Sequence, residues 1–139
     1  MTPTVSKADS ADIPWLLAHD THIPEAWLRR CVDLGEYLIA KRDGEPVGYL
    51  RFSWFWGTVP FMDQIRIIEK ERRRGAGTAL VEAWEAEMRA AGATVLMTSS
   101  MSDEPEPQAW HRRNGFKDSG RLAFGPAQET PEVFFIKTL

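Results

Sequence analysis

The chain holds one cysteine, Cys31, in 139 residues. No disulfide can form within it, and a reducing interior is the expected setting. No apolar run approaches the ~20 residues of a membrane span, and the opening stretch Met1-Thr2-Pro3-Thr4-Val5-Ser6-Lys7 lacks the apolar centre of a signal peptide. A soluble, cytoplasmic protein is expected. Positive charge is not in excess: 17 Lys and Arg against 20 Asp and Glu give a net charge of -3, which removes the electrostatic case for nucleic-acid binding. His19, His22 and His111 stand at no metal-ligand spacing and have no second cysteine to join them, so no metal site is expected. Repeats, low-complexity tracts and linkers are also missing. The remaining composition, 43% hydrophobic and 27% charged, is that of a globular protein. The length suits one domain over residues 1–139, with a core that needs neither disulfide nor metal.

The pattern of elements is mixed. Thr2 to Lys7 reads as a short strand. Asp9 to Asp20 reads as a helix with Pro14 in its tolerant first turn, and Pro24 to Asp33 as a second helix. Tyr37 to Lys41 and Pro46 to Trp56 are strand-like and flank Asp43-Gly44, a hairpin signal. Phe61 to Ile68 is the next strand. Leu80, Val81, Trp84 and Met88 mark one face of a helix, which Gly92 ends. Thr94 to Thr98 is a short strand, Ser102-Asp103 opens a helix that Asn114-Gly115 closes, and Phe116 to Leu122 and Glu132 to Thr138 are the last strands. The crossover helix between Ile68 and Thr94 requires those two strands to be parallel, with antiparallel pairing elsewhere.

Between the strand ending at Ile68 and the strongest helix lies Arg72-Arg73-Arg74-Gly75-Ala76-Gly77-Thr78. Gly75 and Gly77 let the backbone turn tightly and bring its N–H groups close to a ligand, and the helix adds unpaired N–H groups and a positive dipole end. Such a turn suits a phosphate. It is not a P-loop, since no Lys-Ser or Lys-Thr follows the second glycine, and it lacks the third glycine of a dinucleotide fingerprint. The bland alternative is a structural turn with three solvated arginines. A second segment, Ala109-Trp110-His111-Arg112-Arg113-Asn114-Gly115-Phe116, leads from helix to strand.

The spacing Arg72-x-x-Gly75-x-Gly77 resembles the acetyl-CoA pyrophosphate loop of the GNAT acyltransferase superfamily, and the second segment resembles that family's late Phe-Tyr…Gly-Phe stretch. The two lie in the family's order, and the likeness runs over roughly residues 45 to 122. It implies an α/β fold with a mixed, centrally splayed sheet of about six or seven strands and about four helices, taking acetyl-CoA in the gap. It implies that backbone N–H groups from Arg72, Arg73, Arg74, Gly75, Ala76, Gly77 and Thr78 hold the pyrophosphate, with the Thr78 hydroxyl helping. The edge at Ile65, Arg66 and Ile67 pairs with the pantetheine arm as an added strand would, while the Ile65 and Ile67 side chains are more simply core. Arg73 stands where the family often has glycine, which a helical backbone there would accommodate.

The family's reaction is direct attack of an amine on the thioester, without a covalent enzyme intermediate, so Cys31 reads as a small buried hydrophobe. A base or water path must take a proton from the amine, and the departing thiolate needs one. The family's usual acid, a tyrosine four residues before Gly-Phe, is replaced by His111, whose imidazole has an ordinary pKa of about 6.5; plain packing on the helix is the alternative. Asp63, on the same side of the pleat as Ile65, is the first candidate base, against a reading as an exposed carboxylate. Glu104 falls where the family often has an asparagine on the pantetheine arm; it contacts the cofactor, binds a cationic acceptor, or caps the helix, the last being favoured. Phe52, Trp54 and Trp56 alternate along one strand. Trp54 and Trp56 could hold an amine by cation–π contact, although core is favoured for two of the three.

The expected protein is an acetyl-CoA-dependent N-acetyltransferase acting on a small-molecule or peptide amine, without nucleic-acid or membrane partners, as a monomer or homodimer. Its rivals are a non-catalytic acyl-CoA-binding or sensing domain of the same fold, which the His111 departure keeps open, and a phosphate-binding protein unrelated to CoA.

Overall fold

The computed structural model describes residues 2–139. The elements run β1 (Thr4–Lys7), α1 (Ile13–His19), α2 (Glu25–Asp33), β2 (Tyr37–Arg42), β3 (Glu45–Phe55), β4 (Val59–Ile67), α3 (Ala76–Ala90), β5 (Val95–Met101), α4 (Pro105–Arg113), β6 (Lys117–Leu122) and β7 (Glu132–Thr138), with single 3-10 turns at Ser10–Asp12, Glu69–Glu71 and Gly125–Ala127. The sheet is mixed and seven-stranded, ordered β1-β2-β3-β4-β5-β7-β6, as the α/β expectation required. The chain gathers into two compact units, Met1–Phe52 with Gln64–Glu87, and Ser53–Asp63 with Met88–Leu139.

In the first unit β1, β2 and β3 pair antiparallel. Asp43 (φ 53°) and Gly44 (φ 80°) supply the two left-handed residues that the tight β2–β3 turn needs. Leu16, Leu28, Cys31, Tyr37, Ile39 and Tyr49 form the heart of a buried apolar cluster under α1 and α2. Cys31 is therefore the small buried hydrophobe expected. Inside this region lies an ion pair: Arg51 Nε donates to Asp20 Oδ2 at 2.8 Å and Tyr37 OH to the same oxygen at 2.5 Å. On α3, Leu80, Val81 and Trp84 are buried, with Trp84 against Phe52 at 6.1 Å between ring centroids. Gly48 admits β4 to β3, since a Cβ there would fall 2.5 Å from Ile67 Cδ1 and 2.9 Å from Arg66 O.

In the second unit β5 pairs antiparallel with β7, and β7 with β6. β4 runs parallel to β5 through Phe61↔Met97 and Met62↔Thr98, as the crossover demanded. Met62, Thr98 and Phe135 lie on one face and are buried, with Thr98 Oγ1 donating to Met62 O at 3.1 Å. Phe61, Asp63, Met97, Ser99, Glu132 and Phe134 occupy the opposite face, by register and alternation. Gly92 (φ 91°) closes α3, with Ala93 N–H donating to Met88 O at 3.0 Å.

Several boundaries differ from expectation, two of them informatively. β3 stops at Phe55 rather than Trp56, because Trp56 (φ 57°) and Gly57 (φ 72°) turn left-handed. β5 continues past Thr98 to Met101, its serines Ser99 and Ser100 being strand residues with partners on β7.

Candidate active site

The turn into α3 is built from its charges. Glu71 is only 6% exposed. Its Oε1 accepts from Arg42 Nε at 2.7 Å and its Oε2 from Arg74 Nη1 at 2.8 Å. Arg42 Nη2 donates to the Arg74 carbonyl at 3.0 Å, so one side chain on β2 holds both the carboxylate and the backbone of the turn. The hydrogen bond from Arg42, with the positive charge of Arg74 added, holds the Glu71 carboxyl below its ordinary pKa. Arg72 Nε donates to Ile67 O at 3.3 Å. The backbone passes from extended at Arg72 (φ -65°, ψ 147°) through left-handed at Arg73 (φ 63°) to left-handed at Gly75 (φ 90°).

The condition under which an arginine would fit easily, a helical backbone, is not met: Arg73 adopts the left-handed conformation that glycine takes without strain, which explains why glycine suits this position. Arg74 is committed to Glu71, and Arg73 has no ion-pair partner among the described residues.

The fit to a pyrophosphate is good. The first backbone bond of α3 is Ala79 N–H to Gly75 O at 3.0 Å, so helix geometry leaves the N–H groups of Ala76, Gly77 and Thr78 at its mouth. Thr78 is exposed there. A Cβ at Gly75 would meet no heavy atom within 4 Å, so the space above the turn is open. Left-handed residues alternating with one that is not, as Arg73, Arg74 and Gly75 do, turn successive backbone N–H groups into an anion-binding concavity. In β4, Ile65 and Ile67 are half-buried and Arg66 is exposed, its Nη1 donating to His19 O at 3.0 Å. A cavity of about 620 Å³ opens beside the turn. Its charged lining is balanced, with Asp43, Glu45 and Glu71 against Arg42, Lys70 and Arg74, which makes it no anion pocket.

The remaining candidates belong to the second unit. Asp63 is exposed and accepts from Ser53 Oγ at 3.1 Å. His111 is 5% exposed, packed against Phe135 at 5.4 Å, Trp110 at 5.7 Å and Phe116 at 6.1 Å between ring centroids. Its Nδ1 is buried without a hydrogen-bond partner. Burial pushes its pKa down to about 4, so the ordinary imidazole value expected from sequence is corrected: the ring is neutral at pH 7. Phe135 belongs to the face of Met62 and Thr98, so His111 and Asp63 stand on opposite faces of this part of the sheet.

Trp54 and Trp56 do not form the shared face that alternation implied. Trp54 lies next to last in β3 at 36% exposure, whereas Trp56 sits in the turn at 83%, its ring 4.5 Å from Phe55. Only Phe52 of the three aromatics is core, against the expectation of two. Glu104 occupies the N-cap position of α4 but makes no capping hydrogen bond, which corrects the favoured capping role; Pro105 begins the helix instead. Sequence reasoning also missed Arg42, Glu71 and Glu132, which gain their partners only through folding.

Against known proteins, a family model for the Acetyltransferase (GNAT) family matches residues 6–116. Among curated proteins none matches. Solved structures do. Ard1 from Thermoplasma volcanium is similar with a TM-score of 0.87 at 16% identity, over 100% of this chain and 99% of that one. The ribosomal-protein-alanine N-acetyltransferase from Brucella melitensis is similar with a TM-score of 0.79 at 24% identity, over 98% and 99%. The yncA protein of Salmonella typhimurium, solved with its cofactor acetyl-CoA, gives 0.80 at 18% identity, over 100% and 95%. These likenesses show the fold. Among the described residues no helix is long and apolar enough to cross a membrane. With a matching family model over most of its length and a turn fitted to a pyrophosphate, the chain belongs to the GNAT acetyltransferase family and is an acyltransferase that takes acetyl-CoA as its donor.

Proposed function

We propose that the chain acts as one domain, residues 1–139, and moves the acetyl group of acetyl-CoA to a primary amine by direct attack. The observation that carries this reading is the pinned turn Arg72–Thr78, with Gly75 left-handed beneath open space and the α3 N–H groups directed at it. The donor supplies an acyl group activated as a thioester. The N–H groups of Ala76, Gly77 and Thr78 bind its pyrophosphate, and the Ile65–Ile67 backbone pairs with its amide-bearing arm. Asp63, oriented by Ser53, takes the proton from the amine as nitrogen bonds to the carbonyl carbon and the carbon–sulfur bond breaks. His111 is neutral and stands on the face opposite Asp63, so solvent rather than His111 delivers the proton to the departing sulfur. Trp54 and Trp56 present exposed rings to the acceptor, and Glu104 flanks the donor. The Brucella melitensis neighbour is named for acetylating an alanine of a ribosomal protein, so a protein or peptide amine is one acceptor of this kind.

One observation favours a second reading. His111 stands in the acid's place buried and uncharged, an arrangement compatible with acyl-CoA binding without turnover. Calorimetric titration with acetyl-CoA, followed by a thiol-release screen over small and peptide amines, separates the two. Binding with amine-dependent release supports transfer. Binding with no release from any amine supports the sensing domain. No binding sinks both.

A further inference from the structure

The β4–β5 ladder reaches Met62↔Thr98. Asp63 and Ser99 follow on their two strands and point to the same face. Each carries one half of a serine–carboxylate pair reaching to a neighbouring strand. On one side Ser53 Oγ of β3 donates to Asp63 Oδ1 at 3.1 Å. On the other Ser99 Oγ of β5 donates to Glu132 Oε2 of β7 at 2.6 Å. The second oxygen of Glu132 accepts from Gln128 Nε2 at 2.9 Å, and the same nitrogen donates to Thr130 O at 2.7 Å. Glu132 is therefore held from both sides, by β5 and by the loop before β7.

Its donors are all neutral. Among the described residues Glu132 has no Lys, Arg or His partner, although it is half-buried. The more deeply buried carboxylates Asp12, Asp20 and Glu71 each have a cation: Lys41 at 3.2 Å, Arg51 at 2.8 Å and Arg42 at 2.7 Å. A half-buried carboxylate without its countercharge is costly, and a positively charged ligand removes that cost. The rings of Phe61 and Phe134, 6.0 Å apart, lie on the same face and add an apolar wall that favours a cation on a hydrocarbon stem.

We propose that Glu132 determines acceptor specificity: it pairs with a second cationic group, so that the preferred acceptor is a diamine, one nitrogen being acetylated near Asp63 while the other stays charged at Glu132. This inference rests on the acetyl-transfer reading above.

The test compares straight-chain diamines with monoamines of the same length, at saturating acetyl-CoA, by thiol release. The expected result is a kcat/KM at least about tenfold higher for the best diamine, as a half-buried charge pair gives. Glu132→Gln should raise the KM for that diamine by roughly tenfold, with kcat within about threefold and monoamine constants unchanged. Ser99→Ala, which keeps the charge but frees one carboxylate oxygen, should shift the diamine KM the same way by less. Equal kcat/KM for diamines and monoamines overturns the proposal. So does a Glu132→Gln loss that falls equally on both amines, which is what a purely structural brace would give. Should Glu132→Gln fail to fold, unchanged discrimination in Ser99→Ala overturns it instead. Turnover without discrimination leaves the transfer reading standing, whereas silence with every amine fails that reading and this inference with it.

Discussion

Glu71 before α3 and His111 on α4 are almost equally buried, at 6% and 5% exposure, yet they meet burial in opposite ways. Glu71 has guanidinium groups on both oxygens and stays charged. His111 is surrounded by the rings of Trp110, Phe116 and Phe135, has an unpartnered Nδ1, and stays neutral. Partners, more than depth, decide whether a buried titratable group keeps its charge. The difference also sorts the two places chemically. The first braces a turn whose backbone N–H groups hold the donor's pyrophosphate in the proposed reading. The second supplies at most a neutral hydrogen bond.

The largest expected effect tests the first half of that contrast. Gly75→Glu places a Cβ and a carboxylate in the open space above the turn, at a left-handed φ of 90°. Acetyl-CoA affinity measured by calorimetry should fall by more than about 100-fold, because a fixed negative charge then faces the pyrophosphate, while circular dichroism remains native. Near-normal affinity in a folded variant would mean that the anion binds elsewhere.

The second half is tested by pH. His111 titrates at about 4 when folded, against 6.5 for an ordinary histidine. Between those values the unfolded chain binds more protons. The stability gained from a neutral His111 is therefore complete above about pH 6.5 and is lost as the pH falls toward 4, by about 3 kcal/mol. His111→Phe should remove this pH dependence, so that the wild-type-minus-variant difference falls by about 3 kcal/mol from pH 6.5 to 4, and at pH 7 the variant should be neutral or slightly stabilising, since it removes an unsatisfied nitrogen. Urea melts from pH 7 to 4 decide this; parallel curves would mean that the imidazole is hydrated in solution. In the same variant turnover and acetyl-CoA affinity should both hold, and a fall in turnover alone would bring His111 into the reaction.

Much of the fold was readable from local chemistry. The face Leu80, Val81, Trp84 and Met88, the Asp43-Gly44 turn and the glycine stop at Gly92 all rest on interactions within a few residues. The turn into α3 was readable for the same reason, since its glycines and its helix are adjacent. What stayed hidden depends on distant partners. Glu71 meets Arg42 across 29 positions and Ser99 meets Glu132 across 33, and no spacing rule links them. His111 misled because its neighbours in sequence, Arg112 and Arg113, are exposed, whereas its burial comes from Phe116 and Phe135 folding over it. Trp56 misled because alternation assumes a continuing strand, and one left-handed residue ended it.

Arg73 offers the smallest expected effect and the sharpest view of the pinned turn. Its left-handed backbone (φ 63°) costs about 1 kcal/mol relative to glycine, and its side chain has no ion-pair partner among the described residues to offset that cost. Arg42 and Glu71, by contrast, hold the turn from outside position 73. If those bonds impose the conformation, Arg73→Gly should leave the turn in place and relieve the strain, raising stability by something under ~1 kcal/mol once the greater freedom of glycine in the unfolded chain is deducted. Acetyl-CoA affinity should then change by less than about threefold, the modest loss expected from one solvated charge near a phosphate. A larger loss of affinity would give the Arg73 guanidinium a direct place on the donor. A loss of stability would mean instead that the arginine side chain holds the turn, and that the Arg42–Glu71–Arg74 network alone does not.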